Sequence, residues 1–195
     1  TILDVPDDGG WQIRVLALVA HSIDKDARQW GRLETGGALV GRVSYEARTI
    51  TIAGMVAAPP DSVRSEAAFI LGTQGLAQSL TEAHAASVGH LMFVGTWHSH
   101  PEPIPTPSSV DLHSLAESFV MSHHHLNAFV LAIIGQRPVP DGLTVVLGDG
   151  RQVIPLEIEI PPATPCRKAM EQNLVKFANS PKNADCPMDL SRWPL

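Results

Sequence analysis

The sequence predicts an α/β or α+β fold in which a mixed β-sheet is flanked by helices. First, segments with helical spacing of apolar residues alternate with short apolar runs of strand length. Second, glycine and proline pairs separate these segments. Third, the 195 residues contain no internal repeat, heptad run or low-complexity segment. We therefore expect one domain over residues 11–160, with a lead-in over 1–10 and an extension over 161–195.

The first part of this domain is predicted to form one helix and two strands. The helix covers residues 13–31, because its apolar residues recur at spacings of three and four. These residues are Ile13, Leu16, Ala20, Ile23 and Ala27. We expect Gly36 and Gly37 to stop the helix, and two apolar strands to follow over 38–44 and 49–59.

The middle of the chain is predicted to contain a helix, a strand and a stiff loop. After a mixed connection over 60–72, residues 73–87 carry one apolar face and read as a helix. Residues 91–99 form an apolar run of strand length. Residues 101–107 contain four prolines in seven positions, which excludes a helix interior or a central strand.

A third helix is predicted directly after this loop. Ser108 is placed to be its N-cap, and Asp111 three residues later resembles the acidic partner of a capping box. The helix should run to about residue 122. Strands are then predicted over 128–135, 143–148 and 151–160, followed by a short helix over 166–178 and a polar end over 179–195.

The charge distribution excludes two classes of main partner. The net charge is −6, and lysine and arginine are scattered rather than grouped into a basic stripe, which argues against nucleic acid and anionic membranes. No apolar run reaches the roughly 18 residues of a membrane span. The acidic start is unlike a signal peptide, so we expect a cytoplasmic protein. The missing initiator methionine is compatible with a piece of a larger protein.

Two histidines at the end of a predicted strand point to a metal site. His98 and His100 are separated by one residue, so their imidazoles lie on the same side of a strand. The proline-rich loop can fold back and bring Asp111 beside them. Two nitrogens and one oxygen make three protein ligands, and zinc sites with three protein ligands and an open fourth position are catalytic.

Zinc hydrolysis also needs a proton acceptor and a donor to the developing oxyanion. Glu34 precedes two glycines at a helix–strand junction, where backbone segments can approach closely, and is the candidate general base. Ser108 lies on the same face of its helix start as Asp111 and is the candidate oxyanion donor.

These residues resemble a known family. ETGGALVG (34–41) and HSHPEPIPTPSSVD (98–111) are similar to the JAMM motif of the MPN-domain metalloproteases, and the resemblance covers roughly residues 11–160. It implies a catalytic domain with cytidine-deaminase-like layering. It also implies one zinc ion on His98, His100 and Asp111, with Glu34 as base and Ser108 stabilising the tetrahedral intermediate.

The resemblance further implies a substrate class. The family's usual reaction is hydrolysis of an isopeptide or peptide bond after the C-terminal glycine of a ubiquitin-like protein. Prokaryotic relatives accompany E1- and E2-like enzymes, and some of these sets serve antiphage defence. Two alternatives stay open: release of an amino acid from a Gly-Gly-tailed sulfur-carrier protein, and a non-catalytic MPN interaction module. A DNA-repair relative is disfavoured by its different histidine loop and by the net charge of −6.

Each candidate also has a simpler interpretation. His98 and His100 could be structural, Asp111 and Ser108 could serve only as helix caps, and Glu34 could be a solvated charge. Their combination favours the metal site.

Other conspicuous residues are assigned no chemistry. His123, His124 and His125 are adjacent and cannot all face one metal, so we expect them at a surface or helix end. A second zinc at His113 is disfavoured, because no histidine follows residue 125. Trp97 is expected in the core.

Cysteine usage excludes three further kinds of site. Two cysteines, Cys166 and Cys186, cannot make a cysteine-rich zinc site, and neither has a cysteine-protease context. They could form a disulfide, although low cysteine use equally suits a reducing compartment. A zinc deaminase is excluded because Ala169 stands where the second cysteine of Pro-Cys-x-x-Cys is needed.

Overall fold

The computed structural model describes residues 10–121 and 126–162. This part of the chain folds into ten strands and three helices. In chain order they are β1 (Gln12–Val15), α1 (Ala17–Gln29), β2 (Gly36–Ser44), β3 (Thr49–Ala57), β4 (Val63–Arg64), β5 (Phe69–Ile70), α2 (Leu76–Ala86), β6 (Met92–Ser99), α3 (Ser109–Met121), β7 (Phe129–Ile134), β8 (Leu143–Gly148), β9 (Val153–Pro155) and β10 (Glu157–Glu159).

Eight of these strands form one mixed sheet in the order β10-β1-β3-β2-β6-β7-β8-β9. The pairs β1–β10, β1–β3 and β6–β7 are parallel, and the remaining neighbours in this sheet are antiparallel. Strands β4 and β5 form a separate hairpin. The predicted mixed sheet is therefore confirmed.

The sheet curves until its two edges meet. Strands β9 and β10 lie at opposite ends of the strand order, yet only Leu156 separates them in sequence. Leu156 is nearly buried, and its N–H donates to the carbonyl of Val145 at 3.1 Å. The single strand predicted over 151–160 was therefore wrong: the chain turns inward at Leu156 and pairs with different neighbours on either side.

Helices cover both faces of the sheet. Helix α1 buries Val19, Ala20 and Ile23 and packs on β3 and β7, and α3 packs on β7 and β8. Helix α2 packs on β3 and β6, and its Ala83 belongs to a smaller core cluster on the other face. Successive residues of β2 alternate between these cores, with Leu39 in the larger cluster and its neighbours in the smaller one.

The first predicted helix begins too early. Residues of β1 alternate between exposed and buried, with Ile13 and Val15 fully buried, which is the period of a strand. This segment pairs with β3 and β10, and the helix begins only at Ala17. The three-to-four spacing of apolar residues across 13–31 hid this change of period.

Gly36 and Gly37 do not stop a helix but open β2. Helix α1 has already ended at Gln29, with Trp30 as its C-cap. A methyl group at Gly36 would collide with the Trp97 carbonyl oxygen, and one at Gly37 with that of Val56. The two glycines therefore allow close approach of the neighbouring strands.

The remaining predicted elements agree with the structure apart from their ends. The strands predicted over 38–44, 49–59, 91–99, 128–135 and 143–148 are present, as is the proline-rich loop. Helix α2 begins at Leu76 instead of residue 73, because Gly75 adopts a left-handed φ of 76° before it. The connection over 60–72 contains the β4–β5 hairpin.

Some predictions lie outside the described residues. These are the histidine triplet, both cysteines, the short helix over 166–178 and the polar end over 179–195. Within residues 10–121 and 126–162, no helix combines the length and the apolar character needed to cross a bilayer.

Candidate metal centre

The end of β6 presents two imidazoles side by side. His98 and His100 have ring centroids 4.9 Å apart, and their side chains are 12% and 10% exposed. The backbone N–H of His100 donates to the carbonyl of Ile134 at 2.9 Å, which continues the β6–β7 pairing past the end of β6. The strand period and this hydrogen bond together fix both rings on one side.

The proline-rich loop is held against the end of β7. Gln136 N–H donates to the Glu102 carbonyl at 2.8 Å, and Arg137 N–H donates to the Pro103 carbonyl at 3.0 Å. Thr144 Oγ1 donates to the Pro105 carbonyl at 2.8 Å. These hydrogen bonds satisfy carbonyl groups of a loop whose prolines have no N–H to donate. They also hold the loop so that the chain after it lies beside the two histidines.

A reciprocal cap then starts α3 at the site. The Ser108 N–H donates to Asp111 Oδ2 at 2.7 Å, and the Asp111 N–H donates to Ser108 Oγ at 3.2 Å. The predicted capping box with aspartate in the acidic position is confirmed. It holds the carboxylate of Asp111 in the first turn of α3, where it also faces the helix N-terminus.

Three potential ligand residues converge as a result. His98 Nε2 and His100 Nε2 are 3.0 Å apart, Asp111 Oδ1 is 3.1 Å from His98 Nε2, and Asp111 Oδ2 is 3.4 Å from His100 Nε2. Tetrahedral zinc with ligands at about 2.0–2.1 Å separates them by about 3.3 Å. The spacing and the donor types therefore fit one zinc ion, and among the described residues this is the group able to hold a metal.

The protonation preferences of this group suit metal binding. Burial raises the pKa of Asp111, but hydrogen bonds from the side chain of His98 and from Ser108 outweigh it, and its pKa lies far below the ordinary value. Burial, together with the neighbouring His98, lowers the pKa of His100. A carboxylate and a neutral imidazole are the forms in which these side chains bind metals.

Glu34 lies beside this group and is almost completely buried, at 9% exposure. Burial raises its pKa above the ordinary value, the His98 charge opposes this, and Asp111 and Glu102 add to it. A carboxylate with a raised pKa in this position is suited to accept a proton and release it again.

The segment that carries Glu34 is tied to the segment that carries the histidines. Ser99 N–H donates to the Thr35 carbonyl at 2.7 Å, and Thr35 N–H donates to Ser99 Oγ at 3.0 Å. Thr35 is fully buried and Ser99 nearly so. This reciprocal pair sets the distance between the candidate base and the candidate ligands.

The supporting residues Thr35 and Ser99 were missed from sequence. Ser99 lies between the two histidines, so the strand period places its side chain on the opposite face of the sheet from theirs. A polar residue pointing inward needs a partner, and this was the available signal. His113, by contrast, lies on the exposed surface with Nε2 3.3 Å from Glu117 Oε1. Trp97 is in the core at 1% exposure, as predicted.

Sequence comparison identifies the family. Residues 17–145 match the family described as prokaryotic homologs of the JAB domain. A CD-NTase/cGAS isopeptidase of Enterobacter hormaechei subsp. hoffmannii (strain UCI 50) is 34% identical over 105 residues, covering 54% of this chain and 57% of that protein. The protein of the same name from Escherichia coli (strain TW11681) is 28% identical over 109 residues, covering 54% and 64% respectively. The chain thus spans little more than half the length of these relatives.

Structural comparison agrees on the fold. The solution structure of a Desulfitobacterium hafniense protein matches with a TM-score of 0.58 at 17% identity, over 80% of this chain and 97% of that one. The two proteins therefore share the mixed sheet with flanking helices at a low sequence identity. With the family match over 17–145, which includes every candidate site residue, the chain belongs to the prokaryotic homologs of the JAB domain.

Proposed function

We propose that this chain is a zinc-dependent isopeptidase that hydrolyses the bond after the C-terminal glycine of a ubiquitin-like modifier. The observation that carries the proposal is the convergence of His98, His100 and Asp111 at 3.0–3.4 Å beside the buried Glu34. His98 and His100 would hold zinc through Nε2, and Asp111 through a carboxylate oxygen. When bound, zinc supplies Lewis acidity that activates water near neutral pH and polarises an amide carbonyl.

Glu34 acts as the proton carrier in this proposal. Its carboxylate takes a proton from the attacking water and delivers it to the nitrogen of the leaving amine. Burial supports this role, because a raised pKa brings the carboxylate closer to the pH at which a base is both ionised and able to accept a proton.

Ser108 is the proposed donor to the developing oxyanion. Its Oγ accepts the Asp111 N–H at 3.2 Å, and its side chain also hydrogen-bonds the Asp111 carboxylate. In this proposal the hydroxyl hydrogen turns to the substrate oxygen when that carboxylate holds zinc. Ser108 is exposed and adjoins the ligand group, so a substrate carbonyl can reach it. Donors of this kind contribute about 10²–10³ in kcat.

The names of the relatives support a more specific class of substrate. Both proteins compared above are named CD-NTase/cGAS isopeptidases, which supports an isopeptide conjugate in a system that contains a CD-NTase. E1- and E2-like enzymes are the expected partners, since an isopeptidase of this kind acts on the conjugates that such enzymes make. A role in antiphage defence belongs to the same proposal.

A cleavage assay tests the proposal. The purified chain is incubated with GFP fused behind the C-terminal glycine of a ubiquitin-like protein, and separately with GFP fused behind a CD-NTase. We expect GFP to be released from at least one fusion with zinc, and release to stop with EDTA or in Glu34→Gln. Cleavage that continues in Glu34→Gln would refute the assigned base.

A Gly-Gly-tailed sulfur-carrier protein, added as a third substrate, and a zinc measurement test two other functions. Release of an amino acid from a Gly-Gly-tailed sulfur-carrier protein, with both GFP fusions intact, would establish the sulfur-carrier alternative. A chain that holds no zinc and cleaves none of these substrates would be a non-catalytic interaction module.

A further inference from the structure

The β4–β5 hairpin contacts the candidate base, Glu34, and the residue that follows it. The Glu34 N–H donates to the Ser65 carbonyl at 2.8 Å, and Arg64 Nε donates to Thr35 Oγ1 at 3.2 Å. The hairpin closes on itself through the Ser65 N–H, which donates to the Ala68 carbonyl at 2.9 Å. Two consecutive hairpin residues therefore hold Glu34 and the residue after it.

The Arg64 guanidinium is itself enclosed by rings from two different elements. Its central carbon lies 3.9 Å from the ring centroid of Trp30 and 5.8 Å from that of Phe69. Trp30 caps the C-terminus of α1, and Phe69 begins β5. A planar cation stacked in this way has few alternative positions, so its Nε–H keeps a fixed direction toward Thr35.

The charge of Arg64 also acts on a carboxylate of α1. Burial raises the pKa of Asp26 on α1, and the positive charge of Arg64 opposes that rise. Arg64 thus joins the end of α1, the hairpin and the start of β2 at a single point.

Hydrogen bonds connect Arg64, through Thr35 and Ser99, to the strand that carries the candidate ligands. Thr35, which accepts from Arg64, is also the partner of Ser99, and Ser99 stands between His98 and His100. The N–H of Glu34 is therefore held by Ser65, and the next residue, Thr35, is held by Arg64 and Ser99. Because the hydrogen bonds at Glu34 N–H and at Thr35 fix this backbone, they limit where the carboxylate of Glu34 can lie.

We propose that Arg64 is a positioning residue that sets the carboxylate of Glu34 against the His98–His100–Asp111 group. The inference rests on the proposed function, and it goes beyond the motif because Arg64 lies in the hairpin, outside both motif segments. Small displacements of a base cost rate rather than substrate binding, since about 1 Å of misplacement can cost 10²-fold.

The first test separates rate from binding and from metal content. Arg64→Met keeps the length of the side chain and removes its charge and its donors, while Arg64→Lys keeps the charge and removes the planar stack. We expect both variants to lower kcat on the cleaved GFP fusion by about 10- to 100-fold. KM should change less than about threefold, and zinc content should stay at one per chain. Arg42→Met, an exposed arginine on β2, is the matched control and should match the wild type.

A double-mutant cycle tests the path through Thr35. Thr35→Val removes the acceptor that Arg64 uses at nearly constant volume. Since both changes break the same bond, the loss of kcat in Arg64→Met/Thr35→Val should be no greater than the larger single loss. Fully multiplicative losses, or an unchanged kcat in Arg64→Met, would overturn the proposal.

Hydrogen exchange provides a readout that needs no substrate. In the metal-free protein, Arg64→Met should speed amide exchange of Glu34 and Thr35 by about tenfold or more, and leave the buried amides of β7 unchanged. Equal exchange at Glu34 and Thr35, or faster exchange in β7 as well, would contradict a positioning role. If the wild type cleaves no fusion, the proposed function fails, and this exchange measurement still decides whether Arg64 orders the segment.

Discussion

Asp111 connects the two tasks of the candidate site, since one carboxylate both caps α3 and faces the histidines. Oδ2 accepts the Ser108 N–H at 2.7 Å and Oδ1 lies 3.1 Å from His98 Nε2. The cap needs only an oxygen acceptor, whereas the metal also needs a negative charge. A substitution that keeps the oxygen and removes the charge can therefore weaken metal binding while it preserves the cap.

Asp111→Asn is that substitution. Asparagine keeps an oxygen acceptor for the Ser108 N–H, as glutamine does for glutamate in a capping box. The cap should therefore survive, and the free energy of unfolding of the metal-free protein should fall only by the contribution of the ionised carboxylate, about 1–3 kcal/mol. Zinc affinity should fall by at least about 100-fold, because a ligand of the group is lost. Urea denaturation in EDTA measures the first quantity, and competition with a zinc chelator dye measures the second. Zinc affinity equal to that of the wild type would remove Asp111 from the ligand set.

Glu34 is an example of function opposing stability. Burial raises its folded-state pKa above the unfolded value, so the ionised carboxylate destabilises the fold at pH above the folded pKa. That penalty shrinks as pH falls through the folded pKa and disappears below the unfolded one. The same rise in pKa means that activity should be lost on acidification at a higher pH than an ordinary glutamate would give.

We therefore expect Glu34→Gln to abolish cleavage while making the metal-free protein more stable at pH 8. The gain in the free energy of unfolding should diminish when the measurement is repeated at pH 4.5. Glu46→Gln, at an exposed turn, serves as the control and should show no such gain. A destabilised Glu34→Gln at pH 8 would mean that the carboxylate is held by favourable contacts and is not strained by burial.

At the scale of elements, the proline-rich loop between the candidate ligands depends on a glycine at the end of β7. A methyl group at Gly135 would lie 2.5 Å from the Glu102 carbonyl oxygen and 2.8 Å from that of Pro103. Both atoms belong to backbone that cannot rotate away, so the loop itself has to move. Because the loop leads directly to Ser108 and Asp111, this displacement reaches the ligand group.

Gly135→Ala should accordingly weaken zinc binding by about tenfold or more, although it changes no ligand. Gly148→Ala at the other end of the β7–β8 pair is the matched control, since its nearest contacts are side-chain atoms of Leu115 and Val153, which can shift. Isothermal titration of both metal-free variants with zinc measures the difference. Similar zinc affinities in the two variants would show that the loop position does not control the site.

The elements also show how far sequence patterns reach. The histidine pair, the proline-rich loop and the capping box are local signals, and the structure places them as predicted. The contacts that hold Glu34 are not local: Thr35 meets Ser99 across 64 residues, and Arg64 reaches Thr35 across 29. Spacing along the chain cannot specify such pairs. For this reason the segment 60–72 was predicted only as a connection, and the contacts of its hairpin with Thr35 and Glu34 were not predicted.

At the scale of the whole molecule, the sheet type followed from the alternation of helical and strand patterns, but its curvature did not. Closure depends on β10 pairing with β1, and Arg14 strengthens that pairing through Glu159 at 2.8 Å. Residues 12–15 and 157–159 are too short and too far apart in sequence for any periodicity to indicate that they meet. The same long-range pairing explains why β1 was predicted as part of a helix.

Zinc should stabilise the whole domain, because the ligand group joins β6 to α3. Free zinc at 100 times its dissociation constant adds about 2.7 kcal/mol to the free energy of unfolding. For a chain of this size that raises Tm by about 5–10 °C. Differential scanning calorimetry with zinc and with EDTA measures the shift. His98→Ala/His100→Ala should lose it, and an equal shift in that variant would place the metal elsewhere.

The proposed function depends most on one zinc ion held by His98, His100 and Asp111. Elemental analysis of the wild type and of His98→Ala/His100→Ala, purified together without added metal, tests this directly. We expect about one zinc per chain in the wild type and less than a tenth of that in the double variant. A wild type without zinc, or a double variant that retains it, would contradict the proposed zinc site.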